Sequence, residues 1–355
     1  MKSDKHVLLL SPGFPKDESD HLCIPPLQSY LRTLRRMHPT WRISVVSLHY
    51  PFDRKPYEWH GIPVRPMGGA NNSRWQRPLL WARAIRTCRA IRRKQPVDAI
   101  HSLWLQECAL LGNRLAARWK VPHVCTLQGQ DALPGNKYLP RMRLDKLRVV
   151  AISERGKEQL LETVAGRTPP RIEVLPWGLS EADLDWQDAG GARDIDLLGV
   201  GSMVKVKRYE WFLEVAAKLQ VQRPGLKAVL VGEGTERKML ETWARKFGLD
   251  EVVEFRGEMP REEVLELMGR SKVFLHTGRY EGQGYVFPEA LARGMHVVST
   301  PVGMAREMDK WRIGADSDAL AAAAGGFLEQ PVDWERRVLL DMAATVEGYV
   351  SFYEA

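Results

Sequence analysis

Short apolar runs alternate with longer stretches of helical periodicity along almost the whole chain. In the first half the runs are residues 6–11, 43–48, 98–103, 123–128, 148–153 and 172–176, and the helical stretches are residues 25–37, 74–94, 106–120 and 153–163. Continuous apolar runs are typical of strands buried on both faces, so the alternation favours a mainly parallel sheet covered by helices on both sides. The sequence thus predicts an α/β protein.

A change of composition divides the chain into two segments of this kind. Residues 180–193 read SEADLDWQDAGGAR, an acidic and Gly/Ala-rich stretch without periodicity, which indicates a linker. The length of 355 residues exceeds the roughly 250–300 at which a single core usually stops growing. We therefore expect two doubly wound domains, residues 1–185 and 194–333, with a ligand-binding cleft between the carboxyl ends of their strands. A final helix over residues 334–355 is expected to complete the first domain.

The second segment repeats the alternation. Its predicted strands are residues 194–201, 227–232, 252–255, 273–277 and 296–300, and its predicted helices are residues 209–222, 236–247, 261–268 and 286–293.

The charge of the chain is divided unequally between the two halves. The net charge of +8 combines 30 Lys and Arg against 14 Asp and Glu in residues 1–180 with 22 against 30 in the remainder, or +16 and −8. A basic half attracts phosphates, whether of nucleic acid, an anionic membrane surface or an acidic substrate. Charge alone does not choose among these partners.

The sequence gives no indication of export, of a membrane span or of a zinc site. Cys23, Cys88, Cys108 and Cys125 are scattered without metal-ligand or disulfide-framework spacing. Residues 1–15 place an acidic residue beside a very short apolar run, which argues against a secretory signal, and no apolar run is long enough to cross a bilayer. We therefore expect a cytoplasmic protein.

The strongest local pattern lies in residues 279–303, RYEGQGYVFPEALARGMHVVSTPVG. Glu281 follows a predicted strand, Gly282, Gln283 and Gly284 form a glycine turn, and Glu289 lies in the next helix. Glycines at a strand-to-helix turn let backbone N–H groups approach a phosphate. Glu281 could accept hydrogen bonds from sugar hydroxyls and Glu289 from a ribose, although a helix-capping Glu281 and a solvated Glu289 are the alternatives.

This segment resembles the E-x7-E signature of retaining GT-B glycosyltransferases of the group 1 type, also called family 4. Both glutamates, both turn glycines, and Ala290, Gly294 and Gly303 match that signature. The resemblance implies two Rossmann-like domains that face each other across a cleft, and transfer of a sugar with retention of anomeric configuration. It extends over residues 194–303, with four matching segments in the same order.

Residues 199–219 resemble the first strand, loop and helix of the family's donor domain, where an Arg and a Lys hold the donor diphosphate. Lys207 matches that Lys, whereas Ser202 stands where the Arg is common, so that Lys205 or Arg208 could supply the missing charge. In residues 227–240 and 252–282 further family segments follow. The loop of Arg256, Gly257 and Glu258 corresponds to the family's loop near the nucleobase.

The first domain matches the family more loosely. SPGFP, with Gly13, resembles its opening loop without the usual Gly-Gly, and His21 either meets the acceptor or donor phosphates or is a surface histidine. Residues 126–132, TLQGQDA, resemble a segment whose His lies close to the transferred sugar. Gln128 replaces that His and Asp131 is retained. A glutamine can donate a hydrogen bond to a hydroxyl but cannot shuttle a proton.

The resemblance implies a sugar transferase that uses a nucleotide-sugar donor and a saccharide or lipid-linked acceptor, as in cell-surface polysaccharide or glycolipid synthesis. Glu281, Lys207, Asp131 and Gln128 are the expected catalytic residues. No metal or other cofactor is expected, because no DxD-like pair of acids suits a divalent metal here and the GT-B enzymes that the chain resembles commonly dispense with one. A catalytically idle nucleotide-sugar-binding subunit is the alternative, suggested by Ser202 and Gln128 at two positions where the family usually has functional residues. No recognisable nucleic-acid module is present, so no nucleic-acid partner is expected.

Residues 74–94 combine Trp75, Leu79 and Trp81 with eight basic residues. On a helix they would form one apolar and one cationic face, which is typical of a helix lying on a membrane surface. A domain helix with solvated arginines has the same pattern. Peripheral contact with the anionic inner face of a membrane is therefore one of two possible roles for this helix.

Overall fold

The computed structural model describes residues 4–70, 75–185, 193–330 and 334–354, which form two compact units. Unit 1 comprises residues 1–180 and 340–355, and unit 2 comprises residues 181–339. Most of the stretch predicted to be a linker, residues 186–192, lies outside the described residues. Its first part, Glu181–Leu184, is a short helix of unit 2.

Unit 1 is built on an eight-stranded sheet in the order β3-β4-β2-β1-β5-β6-β7-β8, in which every neighbouring pair is parallel except β3 and β4. Its strands are β1 (His6–Gly13), β2 (Arg42–Tyr50), β3 (Tyr57–Trp59), β4 (Ile62–Pro66), β5 (Ala99–Leu103), β6 (His123–Leu127), β7 (Arg148–Ala151) and β8 (Arg171–Val174). The central strands β1, β5 and β6 are buried almost along their whole length, as their apolar runs predict.

Helices cover both faces of this sheet. They are α1 (Pro25–Met37), α2 (Arg77–Lys94), α3 (Glu107–Trp119) and α4 (Glu154–Thr163), with short 3-10 turns at Gln130–Ala132, Leu139–Arg141 and Leu144–Lys146. Their starts follow local chemistry: α1 and α2 carry a proline in the first turn, and the Ser153 hydroxyl accepts the Gly156 N–H at the start of α4. The predicted first residue of α2, Arg74, lies outside the described residues.

A helix from the end of the chain completes unit 1. We designate it α11 (Met342–Glu354), since six helices of unit 2 precede it. Buried hydroxyls join it to the sheet. The Tyr353 hydroxyl lies 2.7 Å from both the Tyr30 hydroxyl and His101 Nδ1, and Thr126 Oγ1 lies 2.7 Å from both His101 Nε2 and the Tyr349 hydroxyl.

The predicted start of this last helix was wrong. The described residues from Trp334 to Leu340 form neither helix nor strand and precede a helix that begins at Met342. The Asp341 carboxylate accepts the Ala344 N–H at 2.7 Å, so a capping aspartate fixes the boundary. The Trp334 ring instead stacks against the Arg193 guanidinium, 3.9 Å from the ring centre.

Unit 2 is built on a six-stranded parallel sheet in the order β11-β10-β9-β12-β13-β14. Its strands are β9 (Ile195–Val200), β10 (Ala228–Val231), β11 (Val253–Gly257), β12 (Ser271–His276), β13 (His296–Ser299) and β14 (Trp311–Ile313). Its helices are α5 (Glu181–Leu184), α6 (Tyr209–Gln222), α7 (Arg237–Lys246), α8 (Arg261–Gly269), α9 (Val286–Ala292) and α10 (Ser317–Glu329), with a 3-10 turn at Lys205–Lys207.

Both sheets are doubly wound and mainly parallel, so the predicted α/β class is confirmed. The strands β3, β4 and β14 and the helices α5 and α10 were not predicted. β3 and β4 form an antiparallel hairpin at the edge of the first sheet, where pairing needs no long apolar run. Within the described ranges, no helix is both long and apolar enough to cross a membrane.

Candidate active site

In unit 2 the turn before α6 is hydrogen-bonded to the loop after β12. The Arg279 N–H donates to the Val206 carbonyl at 2.8 Å, and the Thr277 hydroxyl donates to the Lys207 carbonyl at 2.9 Å. In return, Arg208 Nε donates to the Thr277 carbonyl at 3.1 Å. These bonds join two chain segments that lie about 70 residues apart in sequence, and they bring Lys207 beside Glu281.

Glu281 lies in a compact polar cluster with Lys207 and His276. Lys207 Nζ contacts Glu281 Oε1, and His276 Nε2 lies 3.0 Å from the same oxygen. Burial alone would raise the pKa of Glu281, but the hydrogen bond from His276 and the charge of Lys207 outweigh it and lower this pKa to about 2. Glu281 is therefore a carboxylate at every physiological pH and can accept a hydrogen bond from a hydroxyl.

The glycine turn after Glu281 is tightly packed. Gly284 has φ +79°, and a Cβ atom there would lie 2.3 Å from the Phe287 ring, so that only glycine fits. Gln283 is buried, and its carbonyl accepts the Met304 N–H at 2.9 Å. Gly282, Gln283 and Gly284 thus form a fixed backbone turn directly before α9.

Glu289 is buried and ion-paired rather than solvated. Arg261 donates to Glu289 Oε1 from Nε at 3.0 Å and from a terminal nitrogen at 2.5 Å, and its other terminal nitrogen contacts Asp183. Burial raises the pKa of Glu289, although Arg261 opposes this rise. Arg293 also donates to the Asp183 carbonyl, at 2.6 Å. Two acids and two arginines therefore form one network on α5, α8 and α9.

Arg208 does not supply the phosphate-binding positive charge that is missing at Ser202. Ser202 is exposed, as is Lys205 on the following turn. The Arg208 guanidinium instead donates to the Thr277 carbonyl and stacks on Trp211, 3.7 Å from the ring centre. Arg208 therefore holds the loop after β12, while Lys205 is exposed to solvent.

The three residues predicted to lie near a nucleobase occupy the end of β11 and the loop after it. Arg256 is paired with Glu254 at 2.9 and 3.1 Å, and Glu258 is exposed. Gly257 has φ +74°, and its carbonyl accepts the Gly232 N–H at 2.7 Å. The predicted donor residues thus fall at the carboxyl ends of β9, β11 and β12, the edge at which doubly wound sheets bind ligands.

In unit 1, Asp131 fixes the loop that carries Gln128. It is 1% exposed, and its carboxylate accepts the backbone N–H groups of Leu105 at 2.6 Å, Gly129 at 2.7 Å and Gln128 at 3.1 Å. Burial raises the pKa of Asp131 to about 6, against the effect of these bonds. Gln128 Nε2 is buried and has no hydrogen-bond partner among the described residues. Asp131 is therefore a positioning residue, and Gln128 presents a donor at the end of β6.

Gly13 and His21 lie at the end of β1 and in the loop after it, whereas Gln128 follows β6. Gly13 ends β1 and lies near Cys23 and Tyr50, where an added Cβ atom would be 3.6 Å from Cys23 Sγ. His21 is exposed in the following loop, and its backbone N–H donates to the Ser19 carbonyl at 3.0 Å. The role of both residues toward an acceptor stays a prediction.

Sequence reasoning missed His276, Arg261 and Asp183. His276 is the last residue of β12, where a single histidine carries no pattern of its own. Arg261 begins a predicted helix, and Asp183 was assigned to a linker because its neighbours are acidic and small. A search for basic residues able to neutralise Glu289 could have suggested Arg261.

A family model described as "Glycosyl transferases group 1" matches residues 186–312 of the chain. The matched residues include Lys207, Glu281 and Glu289. Residues 186–312 are thus similar to the group 1 glycosyltransferases. Solved structures give the fold of the chain as GT-B, with two Rossmann-like domains. The Anabaena Alr3699/HepE structure with UDP and glucose has a TM-score of 0.68 and 15% identity over 99% of both chains, and the OtsA apo structure has 0.74 and 13% over 99% of both.

Curated relatives are similar over part of their length. The gpi3 subunit of phosphatidylinositol N-acetylglucosaminyltransferase from Schizosaccharomyces pombe is 26% identical over 47% of this chain and 37% of its own length. D-inositol 3-phosphate glycosyltransferase from Kribbella flavida is 28% identical over 63% and 59%. The match thus covers less than two thirds of each relative.

Proposed function

We propose that this protein is a glycosyltransferase that moves a sugar from a nucleotide-sugar to a saccharide or lipid-linked acceptor with retention of configuration. The observation that carries the proposal is the cluster of Lys207, Glu281 and His276 beside the fixed turn of Gly282, Gln283 and Gly284. It sets a cation, a permanent carboxylate and backbone N–H groups at one edge of the sheet. These are the groups that a sugar diphosphate requires.

The reaction places the largest demand on the leaving group. As the bond between the anomeric carbon and the phosphate oxygen breaks, negative charge accumulates on the diphosphate, and Lys207 neutralises it. The acceptor oxygen forms the new glycosidic bond on the same face of the sugar, and a phosphate oxygen takes the acceptor proton. Glu281 holds the sugar through its hydroxyls and is not a base.

The names of similar proteins support a nucleotide-sugar donor. The Anabaena Alr3699/HepE structures contain UDP, glucose or UDP-glucose, and the pneumococcal O-GlcNAc transferase GtfA structure contains UDP and GlcNAc. The relatives with inositol phosphate or phosphatidylinositol in their names support a polar or lipid-linked acceptor of the kind used in glycolipid or cell-surface polysaccharide synthesis. A uridine donor is therefore the first to test.

We also propose that no metal ion takes part. Among the residues that the structure describes, no cluster of three or more His, Cys, Asp or Glu side chains is suited to a metal. Lys207 and the turn N–H groups supply the positive potential that a divalent ion would otherwise give to the diphosphate. Activity should therefore persist after treatment with EDTA and dialysis.

The test is a thermal-shift and donor-hydrolysis screen of UDP-, GDP- and ADP-sugars, with and without EDTA. We expect one nucleotide class to stabilise the wild type and Glu289→Ala to lose that response. Glu263→Ala, which removes an exposed carboxylate from α8, is the matched control and should respond like the wild type. A protein that responds to none of the three classes would contradict the proposal.

A catalytically idle subunit is the second candidate, favoured by Ser202 and Gln128 at two positions where the family usually has Arg and His. It predicts binding of a nucleotide-sugar without hydrolysis or transfer to any acceptor. Turnover by the purified chain would exclude it.

We further propose that unit 1 contacts an anionic membrane surface at the inner face of the membrane. Arg89, Arg92 and Arg93 of α2 and Arg118 of α3 surround a cavity of about 390 Å³ beside Trp119. At the other end of α2, Trp75 is 82% exposed and Leu79 is 71% exposed. Cations on α2 and α3 and exposed apolar side chains at and just before the start of α2 suit the headgroup region of a bilayer.

Flotation with two kinds of vesicle, one of anionic phosphatidylglycerol and one of neutral phosphatidylcholine, tests this contact. We expect binding to the anionic vesicles at low salt, and weaker binding after Arg89→Glu and Arg93→Glu. Equal binding to both kinds of vesicle, or none at low salt, would contradict membrane contact without affecting the proposed reaction.

A further inference from the structure

His276 is a buried histidine that contacts the carboxylate of the proposed active site. It is 3% exposed at the end of β12, and its ring packs against Phe287 with the centres 5.1 Å apart. The next glycine, Gly278, leaves room for it, because a Cβ atom there would lie 2.7 Å from the imidazole. The fold therefore fixes this ring in one position.

The hydrogen bonds of His276 define which ring nitrogen carries the proton. The Gly278 backbone N–H points to His276 Nδ1 at 3.3 Å, so Nδ1 accepts. Nε2 must then carry the hydrogen and donate it to Glu281 Oε1 at 3.0 Å. Burial lowers the pKa of His276, against the effect of Glu281, so the imidazole is neutral in this arrangement. It gives Glu281 a hydrogen bond without adding a charge to the site.

Glu281 receives both of its donors on one oxygen. Lys207 and His276 each act on Oε1, and no other donor to the carboxylate is found among the described residues. Oε2 is therefore the oxygen that a sugar hydroxyl can reach. At the same time the Lys207 ammonium is held by Glu281, although the diphosphate of a donor would compete for it.

We propose that Lys207 passes from Glu281 to the donor diphosphate when the nucleotide-sugar binds, and that His276 keeps Glu281 oriented and ionised after the lysine has left. His276 is thus a positioning residue that acts through Glu281. This inference rests on the proposed function, because the diphosphate is the group that draws Lys207 away. A dianionic diphosphate attracts an ammonium more strongly than a single carboxylate does.

Few other groups could replace His276 in this role. The charged and titratable groups that face Glu281 are Lys207, His276 and the Tyr209 hydroxyl, whose pKa the glutamate raises beyond the effect of burial. The charge of Arg208 helps to lower the pKa of His276, but the Arg208 guanidinium donates its hydrogen bond to the Thr277 carbonyl. Once Lys207 has moved and His276 is absent, burial would favour a protonated Glu281.

Proton uptake on donor binding is the readout that a merely structural role would not change. Titration calorimetry with UDP-glucose at pH 6.5, in two buffers of different ionisation enthalpy, counts the protons taken up. We expect almost none for the wild type and an uptake approaching one proton per site for His276→Phe. His276→Gln, whose amide can donate to Oε1, should restore the wild-type value.

Turnover should follow the same order. We expect kcat of His276→Phe to fall on the order of 10- to 100-fold with little change in the donor KM, because a hydrogen bond to a charged group is lost. His276→Gln should recover most of this loss. Wild-type values of both proton uptake and kcat in a folded His276→Phe protein would overturn the inference.

A measurement without any ligand separates this inference from the proposed function. In Lys207→Met, which imitates the departed lysine, the carboxyl carbon of Glu281 can be titrated by carbon-13 NMR and assigned with Glu281→Gln. We expect Glu281 to titrate at distinctly lower pH in Lys207→Met than in Lys207→Met/His276→Phe. Equal titration overturns the role of His276 whatever binds, whereas failure of UDP-glucose to bind the wild type counts against the uridine donor only.

Discussion

Two buried histidines should make unit 1 sensitive to mild acid. His101 on β5 is fully buried and His123 on β6 is 4% exposed, and His123 Nε2 lies 2.9 Å from the Ser102 hydroxyl. Burial lowers the pKa of each from 6.5 to about 3. The unfolded chain therefore binds these protons below pH 6.5, whereas the folded chain does not until about pH 3. Stability is full above pH 6.5 and is lost as the pH falls below it.

The expected loss follows from these values. At pH 5, each histidine favours the unfolded state by about 2 kcal/mol, or about 4 kcal/mol for the pair. Asp131 acts in the opposite direction, since burial raises its pKa to about 6 and the folded state takes up a proton first. That gain is about 1 kcal/mol at pH 5, so these three groups together should cost the wild type roughly 3 kcal/mol between pH 7.5 and pH 5.

Replacing the histidines isolates their share. His101→Asn and His123→Asn should each reduce the loss between pH 7.5 and pH 5 by about 2 kcal/mol, whatever their stability at pH 7.5. Tyr353→Phe is the control, because it removes a hydrogen bond from His101 Nδ1 but keeps the imidazole. It should lower the free energy of unfolding without removing the pH dependence.

The four cysteines make unit 1 measurable alone. Cys23, Cys88, Cys108 and Cys125 all belong to unit 1, and the last three are buried. Urea unfolding followed by brief pulses of a disulfide reagent that reacts at acidic pH therefore gives the free energy of unfolding of this unit. If the loss between pH 7.5 and pH 5 were the same in wild type and both histidine variants, the assignment of the acid sensitivity to these buried rings would be refuted.

Three further predictions concern unit 2. Arg261→Met should destabilise it by about 3 kcal/mol, because the buried carboxylates of Glu289 and Asp183 lose their partner. Arg256→Met, at an exposed ion pair, should cost less than about 1 kcal/mol. Urea unfolding compares the two variants, and equal losses would contradict the burial argument. Glu281→Gln should lower kcat for donor turnover by ~100-fold, about 2.7 kcal/mol, and an unchanged kcat would remove Glu281 from the site. Gly284→Ala should abolish the thermal shift produced by a nucleotide-sugar, because its Cβ atom would lie 2.3 Å from the Phe287 ring; a normal shift would contradict a fixed turn.

The sheets could be predicted because their central strands are buried on both faces. Residues such as Leu8, Leu9 and Leu10 in β1 are each no more than 1% exposed, and continuous apolar runs of this kind are visible in the sequence. Edge elements such as β3 and β14, with three residues each, carry no comparable signal. The start of α11 was missed because the capping Asp341 follows a segment that also has helical periodicity.

The site was predictable where the sequence keeps a pattern, and not where contacts join distant segments. Lys207 and Glu281 were named from the sequence and lie together in the structure. Their third partner, His276, depends on a tautomer set by the Gly278 backbone, which no pattern of residue types encodes. The role of Asp183 could not be predicted for a similar reason, because its partner Arg261 lies 78 residues away in the sequence.

The position of α11 has a consequence for synthesis on the ribosome. Unit 2 is one continuous segment, residues 181–339, whereas unit 1 is completed only by residues 340–355. While the chain emerges, Tyr30 and His101 therefore lack the Tyr353 hydroxyl that they share in the finished protein. Unit 2, which is translated second, can finish folding first. In unit 1 the surface that α11 will cover stays exposed until α11 has been synthesised.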